Sequence, residues 1–592
     1  MRAMSAAGHV ALARTALPAL VCNLNAPLSA AASTALVGRA SLDMVAAMAG
    51  AQAWLKVFSA GFQFFAVGVA AKVGALTRGG ERTRRRRRQL ERVTTLAAAA
   101  CGCAAAALLA ALRAPLMRTL PQANGVRDHA NEYFLPAAAA LPFRVVAMCA
   151  GAAMTSDGQI YAAAALATAQ VAVEAGLTYA ALSPKPPPFL PAGMAGVGTA
   201  TAASCALWAG LTLAARLARN ASEPPEPGTD ADAEQALLPP NDGDGDGDGD
   251  GDDDEPPAAP PPLLRASTAA DAAAEPSSLA TLASFAADGA RHFLRTAALQ
   301  ASFLAATLWA ASFGPAALAA HQVLLAFWLV TSYACDGIAD AVTILGSKIA
   351  DTHLRKTQFP PLLGRASVHS LALGAALAVA FALAAHPLVR LLVGHIGGDA
   401  ADVLFGRRSA VSPWSVLVAS QPINAFAFLA DGALAAAQGW RCGRDVMVSG
   451  LLLFAAVLGA YAVLYRAHAD ATVAAVPPLA ASWAGKALMN VWRAVLGMWY
   501  AVRWARRDGE YAALPDEPAS PAPSPPRPPP PASPVVIGRV GSFSSPSVAR
   551  RAAAEPAPAE DARRRGAAGL KSVLGASFTD RDGAPLLGRG RG

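Results

Sequence analysis

The sequence predicts an all-α membrane protein with about twelve transmembrane helices in two six-helix lobes. Hydrophobic residues make up 54% of the 592 residues and charged residues 15%, whereas soluble proteins carry about 25% charged residues. The charges cluster in short runs, and the long apolar stretches between them carry almost none. The apolar stretches also fall into two similar sets of six. These observations exclude a soluble enzyme and a fibrous protein. They also exclude nucleic-acid binding as the explanation of the net charge of +8.

Each predicted span is an apolar stretch of the length that crosses a bilayer, about 20 residues. The first set of spans covers residues 13–37, 49–77, 93–112, 131–154, 160–182 and 193–216. The second set covers residues 289–314, 317–346, 367–394, 411–437, 447–466 and 473–503. The predicted organisation is therefore an N-terminal lobe over 1–220 and a C-terminal lobe over 281–508.

The two remaining segments have compositions that favour disorder. Residues 221–280 contain an Asp-Gly repeat flanked by Pro-rich runs, and such a segment buries too little apolar surface to fold. Its repeat lacks the twelfth-position glutamate of a calcium-binding loop, so we expect a solvated acidic linker. Residues 509–592 form a Pro-rich tail that favours extended conformations.

Orientation follows from the distribution of basic residues, which are enriched in cytoplasmic loops. With a cytoplasmic N-terminus, the inner loops receive the basic run Arg84 to Arg88 and most of the other loop cations. We interpret that run as a topogenic, lipid-facing loop rather than a nucleic-acid site. The apolar stretch near the N-terminus continues into the first span, so we expect it to be part of the bundle and not a cleaved signal.

The two sets of spans resemble an internal repeat, which is typical of secondary transporters. Aligning Pro142 with Pro422 superposes the fourth and tenth spans. In the corresponding alignment of the second and eighth spans, Gln63 lies opposite Asp336.

Four acidic residues are predicted to lie at bilayer depth: Glu174, Asp336, Asp340 and Asp431. Such acids are costly unless they face a bundle interior or a partner, and they often mark ion pathways. A desolvated carboxyl group favours its protonated form, so it can take up a proton on one side and release it on the other. Na⁺ or a cationic substrate would compete for the same group. The alternative is that these acids only pair with polar groups to fix helix packing.

Other polar residues in the spans extend this candidate site. Asp336 and Asp340 share one helix face, and Gln63 would offer a neutral partner in the other lobe. His321 could relay protons or simply hydrogen-bond a neighbouring helix, and Gln322 follows it. Asn424 precedes Asp431 on the tenth span.

Two arginines close to span ends have a different expected role. Because Arg144 and Arg295 lie near the ends of their spans, their side chains are predicted to reach the headgroups.

Motifs of catalytic sites are not present in the sequence. It contains no His-Glu-x-x-His, Gly-x-Ser-x-Gly or Cys-x-x-Cys motif and no phosphate-binding loop. The seven cysteines show no metal-site or disulfide spacing. We therefore expect neither an enzyme nor an ATP-driven pump, and no cofactor or metal.

Two stretches resemble the multidrug and toxic compound extrusion (MATE) antiporters, in particular their DinF-like branch. The stretch Ala317–Ala350 resembles the signature of that family's seventh and eighth helices, and Gln421–Arg441 resembles its tenth helix. Looser similarity is found in ALPALVCNLNAPLSAAASTALVGR and AGVGTATAAS. The resemblance covers about residues 15–505 without the linker. Ser33 stands where the family's first helix usually has an aspartate, which puts proton coupling through this helix in question. The family's Asn and Asp pair on the fifth helix corresponds to Gln170 and Glu174.

The resemblance implies a secondary active antiporter that exports organic or xenobiotic compounds in exchange for H⁺ or Na⁺ by alternating access. Because the spans offer chiefly acids and apolar groups, cationic or neutral amphiphilic substrates are predicted. The alternatives are a carrier of organic anions, a lipid-type flippase and a non-transporting relative. The expected partners are a small-molecule substrate, the coupling ion and the lipid bilayer, with no nucleic acid, and the expected state is a monomer. The resemblance also suggests a plastid envelope or thylakoid membrane, and otherwise the plasma membrane or vacuole.

Overall fold

The computed structural model describes most of residues 2–506, and these belong to one compact unit. The described residues are 2–62, 69, 73, 81–122, 125–222, 278–350, 355–394, 398–406, 409–437, 439–468 and 476–506. Almost all of the predicted linker, the whole predicted tail and the candidate residue Gln63 lie outside them.

The described residues form fifteen α-helices and contain no β-strand. The first half comprises α1 (Arg2–Ala40), α2 (Leu42–Ala60), α3 (Glu81–Met117), α4 (Val126–Ala138), α5 (Leu141–Ser156), α6 (Ile160–Ala181) and α7 (Gly193–Ser222). The second half comprises α8 (Ser278–Ala311), α9 (Pro315–Ala350), α10 (Arg355–Leu383), α11 (Ala385–Val393), α12 (Gly398–Phe405), α13 (Pro413–Ala436), α14 (Trp440–Ala467) and α15 (Pro478–Arg506).

These helices confirm the all-α, multi-pass membrane architecture. Seven of them, namely α3, α6, α7, α9, α10, α13 and α14, are long and apolar enough to cross a bilayer. The pair α4 and α5, bent by 47°, passes the same test together and gives an eighth if it is one broken span. The helices α1, α2, α8 and α15 are also of spanning length, at about 1.5 Å per residue, and twelve spans stay a prediction.

Two predicted spans differ from the observed helices. The span predicted at 131–154 is two helices, with Pro142 in the first turn of α5. The span predicted at 367–394 ends at Leu383, and α11 follows as a separate short helix. Pro387 accounts for this break, because a proline ring clashes with the carbonyl group four residues earlier, here that of Leu383. In the first turn of α11 the missing proline N–H costs nothing.

Side-chain caps define the start of α2 and α13. At α2, the hydroxyl of Ser41 accepts a hydrogen bond from the backbone N–H of Asp43 at 3.2 Å. At α13, Ser412 and Ser415 form a reciprocal capping box. Both caps satisfy backbone N–H groups that have no partner within the helix.

The two halves meet along α1, α2, α8 and α9. Helix α1 packs against α9, and α2 packs against α8 and α9. Within the second half, α13 packs against α9, α10 and α15 and forms its centre. In the first half, α7 packs against α4, α5 and α6.

A matched contact in each half confirms the predicted internal repeat. Gly102 on α3 packs so closely on α5 that an added Cβ would lie 2.6 Å from the Cα of Pro142. Gly374 on α10 packs in the same way on α13, with 2.6 Å to the Cα of Pro422. A side chain at either glycine would have to displace backbone. The alignment of the two prolines therefore corresponds to the same helix-on-helix contact in both halves.

Candidate functional site

A cavity of about 420 Å³ lies in the first half and reaches the helices of the second. Its walls come from α1, α2, α4, α5, α6 and α7, and α8 and α9 close one side. The titratable or amide side chains that line it are Asn23, Asn25, Gln52, Lys56, Tyr133, Arg144, Gln170, Glu174, Cys205, Gln300 and Tyr333. All of these side chains except Gln300 and Tyr333 come from the first half.

Glu174 is the one carboxylate among the residues that line this cavity. Its side chain is buried, with 6% exposed. One oxygen accepts hydrogen bonds from Ser29 Oγ and, at 2.8 Å, from Gln170 Nε2. The other accepts from Thr201 Oγ1 at 2.9 Å. The predicted pair Gln170 and Glu174 is thus a direct contact, and three neutral donors hold the carboxylate in place.

Helix α1 contributes neutral polar groups to the cavity. Asn25, Ser29 and Ser33 all line it, and Asn25 Oδ1 accepts a hydrogen bond from Thr168 Oγ1 at 2.9 Å. Ser33, at the position where an aspartate was expected by resemblance, is buried. Glu174 on α6 is consequently the acidic group of this cavity.

Two basic residues also line the cavity, and this corrects two inferences from the sequence. Arg144 does not extend to the headgroups: it lines the cavity and interacts electrostatically with Glu174 and Cys205. Lys56 on α2 lines the cavity as well. The expectation of a lining made chiefly of acids and apolar groups was wrong, because two cations face one carboxylate. A lysine in the second span was a visible signal for this.

Asp431 lies away from the cavity, in an ion-pair cluster of the second half. Its Oδ2 accepts hydrogen bonds from Arg295 Nη2 on α8 at 2.5 Å and from Arg493 Nη2 on α15 at 2.6 Å. The side chain of Arg493 is 1% exposed, that of Asp431 11% and that of Arg295 22%. The prediction that Arg295 reaches the headgroups was therefore wrong. Arg493 was not predicted as a site residue, although an arginine deep in the last span is a rare feature of an apolar helix.

The same cluster continues into a chain of hydrogen bonds that includes Asn424. Arg493 Nη1 donates to Asn490 Oδ1 at 2.7 Å, and Asn490 Nδ2 donates to Asn424 Oδ1 at 3.1 Å. Asn424 Nδ2 in turn donates to Ser332 Oγ at 2.9 Å. This chain joins α15, α13 and α9. Asn424 is therefore placed to fix helix packing and does not line the cavity.

Asp340 and Gln322 lie at the seam between the two halves. Asn23 Nδ2 on α1 donates to Asp340 Oδ2 at 2.8 Å. About five turns earlier on α9, Gln322 Nε2 donates to Thr34 Oγ1 at 3.2 Å. Both bonds connect α9 to α1. They place these two predicted site residues in the contact that holds the halves together.

Asp336 stands between the seam and the ion-pair cluster. Its carboxylate interacts electrostatically with Asp340 and Asp431 and with Arg295 and Arg493. Among the residues that the structure describes, it makes neither a hydrogen bond nor an ion pair. The sequence-based idea that Asp336 and Asp340 influence each other is consistent with this arrangement.

His321 and a lysine that sequence analysis missed lie behind the α8 wall of the cavity. His321 Nε2 is 3.2 Å from Oγ1 of the cavity-lining Thr307, and Nδ1 has no hydrogen-bond partner within the described chain. Lys486 on α15 is 3% exposed, and its Nζ lies 3.1 Å from the centroid of the Phe303 ring. Phe303 also lines the cavity.

Comparison with known proteins agrees with this architecture. Residues 18–180 match the MatE family model. The helical bundle superposes on a solved structure described as the inward-facing conformation of a multidrug resistance MATE family transporter of the MOP superfamily. The TM-score is 0.60 at 13% identity, over 83% of this chain and 98% of that chain. The chain has the MATE transporter fold.

Two further relatives are informative. A MOP superfamily transporter from Pyrococcus furiosus, described as having a binding pocket of reverse polarity that suggests a different function, matches with a TM-score of 0.60 at 13% identity. That match covers 84% of this chain and 96% of the other. Protein DETOXIFICATION 44, chloroplastic, from Arabidopsis thaliana is 30% identical over 227 residues. That alignment spans 38% of this chain and 39% of the length of the curated relative.

These matches confirm the resemblance to the MATE family and the multi-pass membrane architecture. Assignment to the DinF-like branch remains a prediction.

Proposed function

We propose that this protein is a secondary active transporter that exports organic compounds across a membrane in exchange for H⁺ or Na⁺ by alternating access. The observation that carries this proposal is the cavity of the first half, closed on one side by α8 and α9, with one buried acid, Glu174, in its wall. A MATE transporter fold and a MatE family match over the first lobe support an exporter of organic or xenobiotic compounds.

Glu174 is the best-supported coupling residue. It is the acid of the cavity, and its three hydrogen-bond donors are neutral. Because no fixed counter-ion bonds directly to its oxygens, a proton or Na⁺ can bind there and change the charge of the cavity. Binding of the ion and binding of the substrate then become linked through the electrostatics of one small volume.

The hydrogen bonds across the seam would be the contacts that alternate. The bond from Asn23 to Asp340 and the bond from Gln322 to Thr34 join α1 to α9. If the two halves rock about a central site, as in transporters with repeated halves, some of these bonds must break in the opposite conformation. Asp340 and Gln322 are thus proposed as conformational residues rather than substrate ligands.

A specific observation favours organic anions as the substrate class. Lys56 and Arg144 line the cavity beside a single carboxylate. Arginine and lysine bind carboxylate and phosphate groups well in desolvated sites. The transporter of similar fold from Pyrococcus furiosus is itself described as having a pocket of reverse polarity. The cationic preference inferred from sequence lacks this support.

The membrane is proposed to be a plastid membrane, because the curated relative is named as chloroplastic. We further propose that one chain is the functional unit, since the described helices of a single chain enclose the cavity. Imaging of a tagged full-length protein tests the first proposal, and the molecular mass in detergent tests the second.

Transport by reconstituted protein tests the main proposal. Liposomes with an imposed pH or Na⁺ gradient are assayed for uptake of a fluorescent carboxylate and of a fluorescent cation. Glu174→Gln should abolish the gradient-driven component of uptake. Its matched control is Glu132→Gln, which changes an exposed glutamate on α4 and should leave uptake unchanged.

The cationic residues give the test of substrate class. Lys56→Gln and Arg144→Gln should each reduce uptake of the carboxylate about tenfold or more, as expected for loss of a charge-assisted contact of 1.5–3 kcal/mol. Lys185→Gln, at an exposed loop position, is the control. Uptake of the cation alone would refute the anion assignment, and no gradient-driven uptake of any tested compound by the wild-type protein would count against transport.

A further inference from the structure

The ammonium group of Lys486 occupies an environment that is unusual for a lysine. It is buried on α15 and lies 3.1 Å from the centroid of the Phe303 ring and 5.4 Å from that of Trp328. Its Nζ donates one hydrogen bond, to Ser302 Oγ at 3.3 Å. Among the described residues it forms no ion pair. The ammonium group is thus surrounded by two aromatic rings and one hydroxyl group.

These surroundings do not replace the hydration of a permanent charge. An ammonium group has three donors, and a buried charge without a counter-ion is strongly destabilised. Cation–π contacts offset only part of that cost. A lysine in such a place is suited to exchange its proton, because its neutral form needs no counter-ion.

His321 lies between the cavity wall and the helix that carries Lys486. Its imidazole is completely buried on α9, with Nε2 3.2 Å from Thr307 Oγ1. Its Nδ1 has no hydrogen-bond partner in the described part of the chain. The ring also packs on Trp483 of α15, with 5.7 Å between the ring centroids, and Lys486 lies three residues later on the same face of that helix. Because Thr307 lines the cavity, a continuous path of contacts leads from the cavity through Thr307 to His321.

Other charged groups near this pair are accounted for. Arg493, on the same helix as Lys486, acts on it electrostatically and is itself bonded to Asp431 and Asn490. Lys56, on α2, lines the cavity. No described carboxylate bonds to Lys486 or His321, so neither group has an acid that would hold its proton permanently.

We propose that Lys486 and His321 form a proton-binding site in the second half of the protein, reached from the cavity through Thr307 and separate from Glu174. In this step a proton from cavity water binds the neutral amine of Lys486 and forms the ammonium group, and the reverse step returns the proton to water. Phe303 is the side chain between the amine and the cavity. The link of this site to transport rests on the proposed function; proton binding itself does not.

The first experiment detects proton binding without a substrate. The rings of Trp328 and Trp483 lie near the two groups, at 5.4 Å from Lys486 Nζ and 5.7 Å from the His321 ring, so tryptophan emission should report their charge. Purified wild-type protein is titrated over about pH 5 to 10, the range in which buried and exposed lysines change charge. We expect a pH-dependent step in emission that Lys486→Met and Lys486→Arg both lose. Lys185→Met, at the exposed loop lysine, should keep it.

The second experiment measures uptake into liposomes driven by a pH gradient. The Met variant is permanently neutral and the Arg variant permanently charged, so a proton carrier loses gradient-driven uptake in both. A cation needed only for packing or charge would be replaced by Arg. His321→Gln should slow gradient-driven uptake at least several-fold. Thermal unfolding of each variant identifies those that fold, and the emission test needs only one folded Lys486 variant.

The outcomes are distinct. Persistence of the emission step in a folded Lys486 variant would overturn the proposal, as would full gradient-driven uptake by Lys486→Arg. An emission step that both variants lose, in a protein that transports none of the tested compounds, would support the proton site and count against the proposed transport function.

Discussion

The cluster around Asp431 allows a quantitative prediction for Asp431→Asn. In the structure one carboxylate oxygen bonds Arg295 at 2.5 Å and Arg493 at 2.6 Å. Asparagine is nearly the same size but carries no charge. The substitution therefore leaves two neighbouring guanidinium groups, one of them completely buried, without their shared counter-ion.

The expected cost follows from the burial of these groups. Removing one partner of a buried ion pair costs about 3–5 kcal/mol. Asparagine keeps an acceptor oxygen and Arg295 keeps 22% exposure, so we expect the lower end, about 3 kcal/mol. That corresponds to about a hundredfold change in the unfolding equilibrium.

The control is Asp445→Asn. Asp445 pairs with Arg444 at 2.8 Å, but its side chain is 59% exposed. An exposed pair contributes less than about 1 kcal/mol. The two substitutions thus make the same chemical change in a buried and an exposed pair of the second half.

Thermal unfolding in detergent with a thiol-reactive dye measures the difference. Cys335 and Cys442 are buried in the second half and react when it unfolds. Equal melting temperatures for the two variants would refute the structural role assigned to Asp431. A stable Asp431→Asn variant that loses gradient-driven transport would instead restore the coupling role inferred from sequence.

Two further predictions concern helix packing and the seam. Gly196→Ala on α7 would place a Cβ 1.9 Å from the carbonyl oxygen of Pro191 and should destabilise the protein by about 1–3 kcal/mol. Its control, Gly176→Ala on α6, meets nothing within 4 Å and should stabilise the protein by about 0.5–1 kcal/mol. Equal melting temperatures for the two variants would contradict the packing argument. Gln322→Leu removes the hydrogen bond to Thr34 across the seam, worth about 1 kcal/mol. The population of the conformation with an open seam should therefore rise about fivefold. Distances between spin labels on α1 and α9 measure this population. An unchanged distance distribution would show that this bond does not hold the seam.

Much of the fold could be predicted from local sequence. Helix positions follow from the length and apolarity that a bilayer demands, because an unsatisfied backbone in hydrocarbon is too costly. The matched contacts of Pro142 with Gly102 and of Pro422 with Gly374 confirm a repeat that was visible as a faint similarity. The break before α11 was missed although Pro387 was its signal, since the apolar pattern continues through the proline.

The candidate site could be predicted only in part. Glu174 was predicted as an acid at bilayer depth, and the resemblance paired it with Gln170; two residues four apart on one helix are neighbours whatever surrounds them. The sequence could not distinguish Glu174, which lines the cavity, from Asp431, which is held in ion pairs. Whether an acid in a span is free or paired depends on helices distant in sequence, and the partners of Asp431 are 136 and 62 residues away.

Local chemistry thus determined that the chain crosses a membrane many times, that its halves are alike and that acids lie inside it, since hydropathy and helical spacing act over about twenty residues. Only the packing of the halves decided which polar groups share a cavity. Cavity walls, hydrogen bonds and ring contacts join side chains that are only a few ångströms apart, so Arg144 and Lys56 became lining residues, and Lys486 a buried amine behind Phe303, only when distant helices came together.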